Sequence, residues 1–190
     1  ALYLAIAVCG GFSIGYVPMQ IVADTAAAST QNLSANLNLF KLGVFADSAV
    51  ILFELAITAI LYHMFRSVGP MTATVALISR AGMITVMGLN VLFWVMAYVA
   101  LTSGLAVQTA QSVVQFCFEA HALGVFVWQL FFGVHLLALG WLVLRSAQVP
   151  DILGRGLFVG AFGYLIQGVV ELAFIDIAVL DYAIIGLLVI

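Results

Sequence analysis

Between residues 71 and 101 the chain carries a single charged side chain, Arg80, about ten residues into an otherwise apolar stretch. Glu54 occupies a matching depth in the apolar stretch before it. Across the chain 66% of residues are hydrophobic and 7% are charged, with a mean hydropathy of +1.28. Soluble domains run at roughly 45–50% apolar and 25% charged, so this sequence is built for hydrocarbon. In that medium an unpaired ionised side chain costs on the order of 2.5–3.5 kcal/mol. Charges held at such depth are therefore paired or functional, and they are the residues through which the chain can express an activity.

With 190 residues and about 20 apolar residues needed per helical span, six or seven spans form the ceiling. Apolar runs punctuated by Pro, Gly and polar breaks mark six. They cover residues 1–17, 39–65, 71–101, 112–144, 152–174 and 180–190. The expected fold is all-α, a polytopic transmembrane bundle forming one integral membrane domain over residues 1–190, its first and last spans truncated. The first span should stop near Pro18, the second and third should meet at Gly69-Pro70, and Asp176 and Asp181 should mark the last loop. Leu33, Leu37 and Phe40 keep helical spacing, so the second helix is expected to begin near Ser29 or Thr30 as N-cap. Arg66, Arg145 and Arg155 fall in or beside the second and fourth connections. Lys and Arg favour the cytoplasmic side, which puts both termini there.

Several function classes drop out. The net charge of −3 comes without a basic patch, so nucleic acid is not a partner. Cys9 and Cys117 are isolated and read as small packing residues. Lys41 sits at the edge of its span, too shallow for a retinal-type Schiff base. His121 and His135 lack matching ligands for bis-histidine haem, because the third histidine, His63, lies near the cytoplasmic end. No cofactor is called for.

Depth follows from about 1.5 Å of rise per helical residue. Glu54, Arg80, His135 and Tyr164 count to the bilayer middle. Asp47, Asn90, Glu119, His121 and Glu171 form a tier nearer the outer face, with Gln167 between. Asp47 and Glu54 share one helix stripe, as do His121, Trp128 and His135, and Gln167 and Glu171. Lipid repels all three stripes, so they are expected to converge on one interior cavity. The plainer reading makes Glu54 and Arg80 a register-fixing ion pair and leaves the histidines hydrogen-bonded. Phe116, Phe118, Phe126, Trp128, Phe131 and Phe132 read as core or lipid-facing, and Gly156, Gly160 and Gly163 as a packing face. Asp47, Glu119, His121 and Glu171 have ligand types suited to zinc or another divalent ion, without a supporting spacing.

Several strings occur together in one order: Phe40-Lys41-Leu42-Gly43 with Asp47, Arg80 with Asn90, Phe132-Gly133-Val134-His135 with Gly140, then Pro150-Asp151-Ile152-Leu153-Gly154 with Gly163-Tyr164. In this order the chain resembles the bacterial inner-membrane proteins of domain-of-unknown-function family DUF4386. The resemblance spans nearly the whole chain and implies a six-helix multi-pass protein of the bacterial plasma membrane. It brings no activity. The matched polar positions within spans are Asp47, Arg80, Asn90 and His135.

The leading expectation is a non-enzymatic bundle with a polar cavity, open toward the outer face, that binds or passes a small solute, a lipid headgroup or a proton. In it Arg80 is the fixed cation, Glu54 and Asp47 its counter-charges, and His135 a titratable partner. One rival is an interaction subunit of a larger membrane complex, or a homo-oligomer, with the lipid bilayer as common partner. The other is an intramembrane metal-dependent hydrolase using the outer tier.

Overall fold

The computed structural model describes residues 1–174, all of whose regular elements are helices. Five helices are long and apolar enough to cross a membrane. They are α1 (Leu2–Ile21), α3 (Leu37–Phe65), α4 (Pro70–Thr102), α5 (Val107–Leu144) and α6 (Asp151–Leu172), and a shorter α2 (Ala26–Ala35) lies between the first two. The expected sixth span and the loop at Asp176 and Asp181 fall outside the described residues. Helix α5 begins at Val107 and takes Gln108 and Gln111 into its first turns.

Two local features depart from the sequence reading. Pro18 does not end α1. The helix passes through a π segment at Gly11–Tyr16 and resumes over Val17–Ile21, with Pro18 in the first turn of the resumed stretch, where a missing N–H is tolerated. The second helix does not start at Ser29 or Thr30. Thr25 is the N-cap of a separate helix, accepting from the Ala28 N–H, and Asn36 (φ −117°, ψ 33°) breaks it before α3 begins. Ser29 serves the opposite end of the turn. Its hydroxyl accepts from Ala23 N–H and donates to Ala23 C=O, and Asn32 Nδ2 donates to the Ile21 carbonyl. Helix α2 thus supplies partners to backbone groups that the end of α1 leaves unsatisfied.

The chain divides into two compact units. Unit 1 comprises Ala1–Glu54 and Met87–Gly124. Its core gathers Ile21, Leu33, Phe40, Trp94, Val114, Cys117 and Phe118, with the Phe40 and Trp94 ring centroids 5.1 Å apart. Cys117 is one of these packed residues, as its apolar setting implied. Unit 2 comprises Leu55–Val86 and Val125–Ile190. Its core includes Phe65, Ala73, Ala76, Leu139 and Leu142.

In unit 2 the close approach of α5 and α6 rests on small residues seven apart: Gly140 faces Gly154, Gly133 faces Ala161, and Gly168 faces the Phe126 carbonyl. A Cβ at Gly140 would stand 3.0 Å from the Gly154 carbonyl oxygen, so the backbones meet with nothing between them. Of the expected face, Gly163 is buried, whereas Gly156 and Gly160 lie away from this contact. Gly156 has nothing within 4 Å of its Cβ position, and Gly160 has a single leucine methyl at 3.9 Å. A seven-residue repeat tracks a facing helix, whereas Gly156 lies off that line.

Candidate functional site

Arg80 is among the most deeply buried large side chains, 2% exposed, and His135 matches it at 2%. Helix α4 carries the arginine and α5 the histidine, and unit 2 brings them together. Arg80 Nη1 lies 2.8 Å from His135 Nε2, and His135 Nδ1 lies 2.9 Å from the Ala76 carbonyl oxygen. A guanidinium only donates, and a carbonyl only accepts. These two facts settle the ring: Nε2 is the acceptor and Nδ1 carries the proton, so His135 is the neutral Nδ1–H tautomer. Ala76, four residues before Arg80, sits one turn away on the same helix, so α4 holds the histidine at both nitrogens.

Aromatic rings close around the pair. Phe132 stacks on the His135 ring at 6.0 Å and 14°, and the Arg80 guanidinium carbon lies 5.8 Å from the Phe132 centroid. Tyr164 of α6 meets Phe132 edge-on at 5.0 Å, and Trp128 does so at 6.1 Å. A cation over a desolvated ring contributes on the order of 0.5–2 kcal/mol. Phe132, read from the sequence as core or lipid-facing, thus belongs to the polar cluster. The signal was present in its spacing, one turn from His135 and from Trp128 on the same face.

Beside His135 is a void of about 10 Å³, lined also by Thr58, Tyr62, Ala73 and Ala76. That is close to the least space a water needs, about 10–15 Å³. No solute or headgroup fits in it. Gln129 and Gln167 each present a buried amide oxygen with no hydrogen-bond partner.

The other expected residues are distributed as follows. Glu54 and Arg80 are both buried, and neither is without an interaction partner. Asp47, Glu54, Asn90, Glu119 and His121 belong to unit 1, and Arg80, His135 and Glu171 to unit 2. The stripe of His121, Trp128 and His135 is accordingly shared out: His121 packs edge-on against Trp94 at 5.1 Å, within unit 1. Asn90 donates from Nδ2 to the His121 carbonyl at 3.2 Å and fills the space over Gly124, where a Cβ would collide with its amide. Glu119 is exposed and accepts from Gln115 Nε2 one turn earlier. Glu171 is half-buried. The metal reading of the outer tier finds no ligand set: among the described residues no three His, Cys, Asp or Glu side chains are placed to hold an ion. The carboxylates and imidazole concerned are engaged separately or face outward.

Five apolar helices of spanning length, with buried ionisable groups turned onto one another, define a multi-pass integral membrane protein. The family model for "Domain of unknown function (DUF4386)" matches residues 1–190, the whole chain, and the protein belongs to that family. Comparison with curated proteins and with solved structures gives no match.

Proposed function

We propose that this DUF4386 protein is a proton-handling bundle of the bacterial inner membrane, with both termini cytoplasmic, and that His135 is its proton-exchanging group. The observation that carries the reading is the size of the void at the His135 ring. With about 10 Å³ of space it suits one water. Of a solute, a lipid headgroup and a proton, the proton alone needs no more room than that. Thr58 and Tyr62 line the same void, and their hydroxyls are groups that can pass a proton to or from a water held there.

The chemistry follows from the tautomer. His135 Nε2 is occupied by the Arg80 donor, and Nδ1–H is committed to the Ala76 carbonyl. A proton can join the ring only at Nε2, and only after Arg80 has withdrawn, since two donors cannot face each other. Proton uptake by His135 is thereby coupled to movement of Arg80, with Phe132 the ring both side chains lean on. The arrangement is a packed relay with room for one water.

The test uses the purified full chain in liposomes loaded with a pH-sensitive dye, driven by a potassium diffusion potential. Vesicles with protein should acidify faster than empty ones, and His135→Phe should return the rate to that of empty vesicles. Wild-type vesicles no faster than empty ones would end the proton reading.

A further inference from the structure

The π segment of α1 sets up a second intramembrane group of oxygens, in unit 1. In a π turn the N–H bonds five residues back instead of four, and here Val17 N–H donates to the Phe12 carbonyl. The Ser13 carbonyl therefore loses Val17, its ordinary helical donor. The donor one residue further on would be residue 18, which is proline and has no N–H. Neither helical register supplies the Ser13 carbonyl with a hydrogen. The Ser13 hydroxyl is 5% exposed, and the acceptor within its reach is the Asp47 carboxylate.

Facing this residue across a narrow cleft is Asp47 of α3, 7% exposed. Apolar walls come from Val17, Val44, Val91 and Trp94, and Gly43 allows α1 to come close. Among the described residues Asp47 is the one charged side chain lining the cleft, and no basic group lines it. The cleft is too narrow for a water. A carboxylate whose partner is the Ser13 hydroxyl, and a backbone carbonyl left without its helical donor, thus meet in an apolar, dry setting, and buried polar groups so under-satisfied are costly.

We propose that Asp47, with the hydroxyl and backbone carbonyl of Ser13, is a binding site for one small monovalent cation, either a proton or a dehydrated ion no larger than sodium. One carboxylate balances one positive charge, and the absence of room for water demands that the cation arrive bare. As a proton it leaves a water and forms an O–H bond on the Asp47 carboxylate, which then donates to a Ser13 oxygen. As a metal ion it is held by the same oxygens without bond making. The site involves none of the residues assigned to the proton relay at His135, so either proposal can fail without the other.

The purified full chain in lipid nanodiscs provides the test, with two arms. Infrared difference spectra on changing pH should show a protonated carboxyl C=O stretch that disappears in Asp47→Asn, which reports a proton. Saturable binding of radioactive sodium that Asp47→Asn abolishes reports the ion. Ser13→Ala should weaken sodium binding about tenfold, the loss of roughly one good ligand interaction, or shift the C=O stretch to the frequency of a less hydrogen-bonded acid. Pro18→Ala restores an N–H for the Ser13 carbonyl and should weaken binding in the same direction while leaving the helix intact. Should folded, monodisperse wild-type protein give neither signal, or should binding be unchanged in both Ser13→Ala and Pro18→Ala, the site is overturned.

Discussion

Arg80 Nη1 and His135 Nε2 lie 2.8 Å apart, joining α4 to α5 through a charge-assisted hydrogen bond between two side chains that are each 2% exposed. A hydrogen bond to a charged group contributes about 1.5–3 kcal/mol, and removing one buried partner strands the other. Arg80→Met and His135→Phe should each destabilise the protein, and the double variant should lose less than the sum. The coupling expected from a double-mutant cycle is about 1.5–3 kcal/mol. Reversible unfolding in mixed micelles measures it, and strict additivity would contradict the contact.

The tautomer is checked separately. Solid-state nitrogen NMR of histidine-labelled protein should find one ring, absent from His135→Phe, protonated at Nδ1 and bare at Nε2. In Arg80→Met the Nε2 resonance should shift, because its donor is gone. An Nε2–H tautomer in the wild type would require a different partner for the ring.

Asn90 and Gly124 form a fitted pair in unit 1, the amide lying where a side chain at 124 would be. Gly124→Ala should cost about 1–3 kcal/mol, the usual penalty for overpacking. Adding Asn90→Ala removes the obstruction and should recover most of that loss. Equal costs for Gly124→Ala in both backgrounds would mean that the amide is not the obstacle.

Gly140 and Gly156 give a matched contrast within unit 2. A Cβ at 140 meets the Gly154 carbonyl, whereas at 156 it meets open space. Gly140→Leu should destabilise the protein by at least about 1–3 kcal/mol. Gly156→Leu should stay within about 0.5 kcal/mol of wild type, like other substitutions away from packed features. Similar losses at the two positions would refute the assigned α5–α6 contact line.

Some corrections to the sequence reading had signals that were present but outweighed. Pro18 looked like a terminator, yet a π segment lets a proline sit inside the helix at a place where its missing N–H goes unused. Ser29 looked like a cap, but Thr25 has the better position, three residues before the N–H it satisfies, and Ser29 turns back to Ala23. Gly156, Gly160 and Gly163 read as one small-residue packing face, and of the three Gly163 is the buried one. The facing helix reads a seven-residue line through Gly154, Ala161 and Gly168.

The amino-acid sequence by itself determined the all-helical membrane-protein class, the five described apolar helices and the short roster of polar residues within them. Each of these depends on whether one segment prefers lipid to water, a property summed along neighbouring residues. Only the tertiary structure decided which of those residues meet: Arg80 with His135 over Phe132, Asn90 over Gly124, Asp47 opposite Ser13. Those pairings depend on the rotation and axial register of one helix against another. Burial sets that register through shape, glycine by glycine, and hydropathy carries no record of it.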